Sequence, residues 1–275
     1  MTNKKTGNKI LFTVQKIIKE INFMTKKHKK ETTQITPEMQ EKITTILNKK
    51  ALYFALNNKW SEVKKCINKG ADVNMCNNQG YSLLHYSIAH GQKELVTLLL
   101  NKGAHPDIRE TTSGETPLSM ATRLADKATI IELLENVANP NTVNIYGETP
   151  LMIAARNGLT SIAECLIMAN ADVNKGNETS SPLFEALKNQ NVAVTWVLLN
   201  AGASIYDAKN IGGITITPIS YVSSPNYPQT QCALKIEQMI LEQAANQSKK
   251  KIRPIIIPHS KATPQPANKE MFYGD

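Results

Sequence analysis

Gly147-Glu148-Thr149-Pro150-Leu151-Met152 decides the fold, because the same phrase recurs along the chain at a nearly fixed interval. Working outward, Gly114-Glu115-Thr116-Pro117-Leu118-Ser119 stands 33 residues before it, and Gly80-Tyr81-Ser82-Leu83-Leu84-His85 a further 34. Downstream, Ser180-Ser181-Pro182-Leu183-Phe184 keeps the Pro-Leu step 32 residues after Pro150, and Thr217-Pro218-Ile219-Ser220 follows a short insertion. A second phrase runs in phase with the first: Gly70-Ala71-Asp72-Val73-Asn74, then Gly103-Ala104-His105-Pro106-Asp107, Val137-Ala138-Asn139-Pro140-Asn141, Asn170-Ala171-Asp172-Val173-Asn174 and Gly202-Ala203-Ser204-Ile205-Tyr206. Self-similarity at this period marks a stacked repeat architecture.

Each unit makes physical sense as a helix, a turn, a second helix and an exposed loop. In the copy from Gly80, Ser82 caps the first helix, and Leu83 and Leu84 open its apolar face. Gly91 permits the turn between helices. Leu95, Val96, Leu98, Leu99 and Leu100 make the second helix, which Gly103 ends in a left-handed conformation. Neither helix can bury its apolar face alone. Stacking is therefore predicted to bury Leu98, Leu133, Leu166 and Leu198 in one continuous core.

The T-P-L-H-like step, the L-L-L-like second helix and the G-A-D-V-N phrase resemble the ankyrin repeat over about residues 51–245. The resemblance implies an all-α fold: an ankyrin-repeat solenoid of about five to six helix-turn-helix units with short β-turn loops, flanked by N-terminal capping helices. It implies that His85, at the T-P-L-H histidine, makes a buried hydrogen bond between adjacent loops. Trp60 and Trp196 read as packing anchors. The resemblance also implies a protein partner on the concave side, met by loop tips and exposed first-helix residues. Carried over by phase, these are Gln79, Tyr81 and His90; Ser113, Glu115 and Arg123; Tyr146, Glu148, Arg156 and Asn157; and Glu178, Lys188 and Asn189. Tyr81, Arg123, Tyr146 and Arg156 are the candidate anchors, since tyrosine and arginine often dominate interface energy. On this reading their replacement by alanine abolishes binding and leaves melting unchanged.

Departures from the pattern locate the ends of the stack. The first copy, Ala51-Leu52-Tyr53-Phe54-Ala55, lacks the proline and the opening glycine. In the third, Ala125 replaces the inter-helix glycine and Pro140 enters the loop phrase, which predicts local reshaping. The last carries extra residues at Ile211–Ile216 and Ser223–Gln229 before a helix around Cys232–Ala245. Three segments follow: residues 1–48, a basic helical segment acting as a cap; 49–246, the ankyrin-repeat domain with degenerate first and last repeats; and 247–275, a flexible basic tail. Within the first, Ile10, Leu11, Val14, Ile17, Ile18 and Ile21 form an amphipathic helix, either an end-cap or a basic membrane-surface helix. A second helix begins at Thr36-Pro37-Glu38, with Met39, Ile43, Ile46 and Leu47 on its core face. In the tail, Pro254-Ile255-Ile256-Ile257-Pro258 either packs on the last repeat or binds a partner.

The formal charge of +9 over 275 residues is uneven. Residues 1–50 hold 12 Lys/Arg against 4 Asp/Glu, residues 51–246 hold 14 against 17, and residues 247–275 hold 6 against 2. The slightly acidic middle argues against a nucleic-acid groove along the repeats. Two basic clusters, Lys26, Lys27, Lys29 and Lys30, and Lys249, Lys250, Lys251 and Arg253, are candidate import signals or solvated linkers. Cys66, Cys76, Cys165 and Cys232 include no C-x-x-C pair, which points to reduced thiols in a cytosol, with Cys66 and Cys165 at buried helix positions. No phosphate loop, G-x-S-x-G elbow, zinc helix or calcium loop occurs, so neither catalysis, nor a cofactor, nor a metal is expected. No apolar run is long enough to span a bilayer.

The expected function is thus non-catalytic binding of a protein partner by a monomer. The Lys/Asn/Ile-rich composition resembles the secreted ankyrin effectors of intracellular bacteria. That implies a host protein as partner and a cytoplasmic location, or after secretion a host cytosol or nucleus. Two alternatives stand beside it: a membrane- or nucleic-acid-tethered adaptor acting through the basic ends, and an enzyme with an unrecognised active site.

Overall fold

In the computed structural model, residues 36–251 are described. Paired helices follow one another along the chain. The first unit comprises α1 (Pro37–Leu56) and α2 (Trp60–Asn68), the second α3 (Leu83–Ala89) and α4 (Lys93–Asn101), and the third α5 (Pro117–Arg123) and α6 (Lys127–Glu135). The fourth holds α7 (Pro150–Arg156) and α8 (Thr160–Met168), and the fifth α9 (Pro182–Lys188) and α10 (Val192–Asn200). A hairpin of β1 (Lys209–Ile211) and β2 (Ile214–Ile216) then precedes α11 (Pro218–Val222) and α12 (Gln231–Lys251). First helices pack on first helices and second on second, so each unit touches its neighbours only, as a solenoid requires.

Local chemistry explains each start. The hydroxyls of Ser82, Thr116, Thr149, Ser181 and Thr217 each accept the amide three residues on, and proline fills the first turn in all these helices but α3. Where one helix must reverse into the next the chain is left-handed in every interior unit, at Gly91, Ala125, Gly158 and Gln190. It is left-handed again after each second helix, at Gly70, Gly103, Val137, Asn170 and Gly202. At both reversals the third unit therefore keeps the common backbone, contrary to the reshaping expected there from Ala125 and Pro140. Ala125 (φ 56°) and Val137 (φ 64°) are forced into the conformation that glycine adopts elsewhere.

That conformation costs roughly 1–2 kcal/mol for an L-residue, and a β-branched one bears it badly. Val137 is 85% exposed, so its side chain repays little by packing. Val137→Gly is expected to raise stability by about 1 kcal/mol, measured by urea unfolding. No gain would mean that the φ strain is absorbed elsewhere.

The core repeats with the same phase, but one residue away from the sequence expectation at one point. Cys66, Leu99, Leu133, Leu166 and Leu198 are all buried, whereas Leu98 is only partly so. Trp60 packs against the core, whereas Trp196 is not an anchor: it is 58% exposed. His85 is buried as expected, linking loops through its Nε2 and the Glu115 carbonyl at 3.2 Å, and burial pushes its pKa down.

The loop phrase is a hydrogen-bond ladder. Its last residue reaches the following unit: the Asn74 side chain accepts from the His105 amide (2.7 Å) and donates to the Gly103 carbonyl (3.2 Å). Asn141 repeats both bonds with Asp172 and Asn170, Asn174 makes the accepting half with Ser204, and Asn48, which lies within α1, does the same with Asp72. Asp107 accepts from Asn139 but has no proton to donate; instead, Arg109 bridges to the Val143 carbonyl at 2.7 Å.

Both expected segment boundaries fall inside helices. α1 runs unbroken from Pro37 to Leu56, so the second N-terminal helix and the first helix of the first repeat are one element, and nothing interrupts the chain between residues 48 and 49. α12 likewise continues past residue 247 to Lys251. The insertion at Ile211–Ile216 forms the β1–β2 hairpin, closed by Gly212 and Gly213, both at positive φ.

Candidate functional site

The loops project as fingers, and each is built on a side chain that caps its own turn. Asn77, Asn144 and Asn177 accept two amides each from the residues two to four positions on. The third finger is one residue longer, and the longer Glu110 takes the asparagine's place. Its carboxylate, 1% exposed, accepts the amides of Thr112 (2.7 Å), Ser113 (2.5 Å) and Glu115 (3.2 Å) and the Ser113 hydroxyl. Burial alone would push its pKa up, but these hydrogen bonds outweigh it and hold the carboxyl at about 2, below its ordinary 4.5.

Neighbouring fingers are laced at equivalent positions. The Thr111 amide donates to the Gln79 carbonyl (2.8 Å), Ile145 to Ser113 (2.9 Å) and Asn210 to Glu178 (3.0 Å), while the Asn177 side chain donates to Tyr146 (2.8 Å). Gln79, Ser113, Tyr146 and Glu178 therefore form one row along the fingers. Gln79 and Glu178 are exposed, and Tyr146 is 64% exposed. Tyr81 is half-buried, with its ring edge-on to His85 at 5.6 Å and tilted against Tyr86 at 5.9 Å.

A second row lies at the ends of the first helices, where the predicted arginines are already paired. Arg123 meets Glu115 at 2.9 Å. Arg156 lies between two carboxylates, Glu148 at 2.5 Å and Glu185 at 2.6 Å. Asn144 also donates to Glu148 (2.9 Å). In the fifth unit Ser180 takes the place of Glu148, and its hydroxyl donates to Glu185 (2.5 Å), while Lys188 bonds Ser180 (3.2 Å) and approaches Glu185 (3.6 Å). Burial raises the Glu185 pKa, and Arg156, Ser180 and Lys188 together bring it below the ordinary carboxylate value.

The structure thus brings Glu148, Arg156 and Lys188 into one network and adds Glu185, which sequence reasoning missed. It places Glu115 with Arg123 in a separate pair. Arg156 is not a free anchor: its replacement by alanine cannot leave melting unchanged, because Glu185 is buried against it. His90 is exposed with its ring against Trp60 at 5.2 Å, while the exposed Asn157 and Asn189 donate back to helix carbonyls. Also missed were Ile145, 63% exposed beside Tyr146, and Leu124, which occupies the phase of His90 and Asn157. An apolar residue at a position that is otherwise polar was the available signal for both.

The amphipathic segment at Ile10–Ile21, the cluster Lys26, Lys27, Lys29 and Lys30, Arg253 and the Pro254–Pro258 stretch lie outside the described residues, whereas Lys249–Lys251 form the end of α12. Among the described residues no helix is long and apolar enough to cross a membrane, and no three His, Cys, Asp or Glu side chains gather as metal ligands.

The chain is 31% identical over 153 residues to a fowlpox virus protein named as an ankyrin repeat protein, covering 55% of this chain and 35% of that one. It is 30% identical over 190 residues to a Danio rerio protein named as a palmitoyltransferase, covering 67% of this chain and 29% of the relative. Human Rabankyrin-5 is 25% identical over 196 residues, 71% of this chain and 14% of its own length. The chain thus spans about a third or less of these relatives, and the likeness is confined to that part of each. Ankyrin repeats are in general protein-interaction modules without catalysis. The model for Ankyrin repeats matches three times, over residues 13–110, 51–144 and 118–209, and with the stacked units described above the chain belongs to the ankyrin-repeat family.

Proposed function

We propose that the chain holds a protein partner along the finger tips and the first-helix ends, and acts by binding and not by catalysis. The observation that carries this reading is Ile145-Tyr146: two large apolar side chains, more than half exposed, side by side at a finger tip. Exposed apolar side chains on a laced, rigid loop bind at little cost in conformational entropy. Gln79 and Glu178 extend the surface along the tips, and Arg123 and Lys188 supply half-screened cations at its base.

Glu115, Glu148 and Arg156 have a supporting role in this proposal, holding the cations in place. That the partner is a host protein, met in a host cytosol or nucleus after secretion, is a further part of the proposal, supported by composition alone. The test is capture from a eukaryotic lysate with the full chain and with Ile145→Ser/Tyr146→Ser, whose exposed positions leave folding intact. Proteins retained by the first and lost from the second are the expected result. An identical retained set would place the contact surface elsewhere.

A further inference from the structure

Trp196, on α10, lines a groove of about 430 Å³ on the second-helix side, where α10 packs between α8 and α12. Val192, Val197 and Met239 line the same groove. Glu164 borders it from α8 and Lys235 from α12, both exposed, and neither enters an ion pair among the described residues. The groove therefore has an apolar centre with an aromatic side chain of the type that anchors interfaces, and one free charge of each sign on opposite flanks.

Such a surface is complementary to itself. A twofold axis lying in the interface and running along α10 past Trp196 exchanges the α8 and α12 flanks, so it sets Glu164 of one copy against Lys235 of the other and repeats that pair by symmetry. A partner flank of one charge sign would satisfy only one of the two groups and repel the other. We propose that this groove is the interface of a homodimer, in which the Trp196 side chains pack together between two Glu164–Lys235 pairs. This departs from the monomer expected from the sequence. It leaves the fingers and first helices of both copies open, so the dimer presents two partner surfaces and gains avidity for a multivalent target.

Sedimentation velocity of the full chain over a wide concentration range tests it. A reversible monomer–dimer equilibrium is expected, which Trp196→Ser weakens at least about thirtyfold. Glu164→Lys and Lys235→Glu each set like charges together twice, and each is expected to weaken dimerisation at least about tenfold. An equimolar mixture of those two variants should recover it, because the new lysine of one meets the new glutamate of the other and the native pair forms on the second flank. Far-UV circular dichroism checks that every variant is folded. A chain that sediments as a monomer throughout, a Glu164→Lys variant that dimerises like the wild type, or a mixture no tighter than its components would each overturn the proposal.

Discussion

Arg156→Ala is expected to destabilise the chain by about 2–4 kcal/mol, lowering Tm by roughly 5–10 °C. The cause is Glu185, whose side chain is 8% exposed and which would remain buried within reach of Glu148 with only Lys188, at 3.6 Å, as a countercharge. Breaking a buried pair from one side costs more than the pair contributes, because the orphaned charge still bears its desolvation. The loss falls short of that for a fully buried pair because Arg156 keeps 35% of its side-chain surface in contact with water. Arg123→Ala is the internal control. Its guanidinium is 49% exposed and pairs with one carboxylate, so it should cost no more than about 1 kcal/mol. Arg156→Ala/Glu185→Gln should recover much of the loss, since the amide no longer needs a countercharge. Equal losses for Arg123→Ala and Arg156→Ala would show that the bridge between units adds nothing.

The second large effect belongs to the third finger. Glu110 is held at about 2 in the folded chain, against an ordinary value of 4.5. Its folded pKa is depressed, so its contribution is complete above pH 4.5 and is lost as the pH falls through that value towards 2. The difference corresponds to about 3 kcal/mol at neutral pH. Urea unfolding of the wild type and Glu110→Gln should accordingly differ by about 2–3 kcal/mol at pH 7, with the gap narrowing steadily once the pH drops below 4.5. A gap that stays constant down to pH 3 would mean that the amide cage recognises shape and not charge. The finger carries the next unit's lacing bond from Ile145 to Ser113, so the loss should also reach the fourth unit.

Repeat phase made the architecture readable because two phrases had to agree at every copy, and capping residues such as Ser82 and Thr149 stand where helices start. Where the sequence misled, a local rule had two solutions. In Leu98-Leu99-Leu100 three adjacent leucines compete for the core, and only the packing of α4 buries Leu99 and Leu100 and leaves Leu98 at the margin. Asn48-Lys49-Lys50 contains no proline or glycine, so α1 continues through it into the first unit. Trp196 departs from the expected anchor because size alone suggests burial, whereas its phase equivalent in α8 is the exposed Glu164. The Glu–Arg pairs were hidden for a different reason. Glu115 and Arg123, like Glu148 and Arg156, are eight residues apart, too far for neighbours on one helix turn, and they meet because each glutamate precedes its helix. Glu185 stands in phase with Tyr86, Met120 and Ile153, so a lone charge at an otherwise largely apolar position was the signal for it, and its place beside Arg156 explains it.

The lacing between fingers and the loop-base side chains join each unit to the next at equivalent positions, although the donor atoms differ at some junctions. Acceptors recur at the same phase in neighbouring junctions, so a whole unit can be removed and the next still meets a carbonyl in the same place, which makes the length of the stack a heritable variable. Excision of residues 114–146 would remove Glu115 together with Arg123, and the Ser113 carbonyl would inherit the bond that Asn177 now makes to Tyr146. A gene encoding this chain can thus lengthen or shorten its product by whole turns of the repeat through unequal recombination, with the long end helices α1 and α12 left in place. Change of that kind alters how many finger tips a partner meets without requiring a new core.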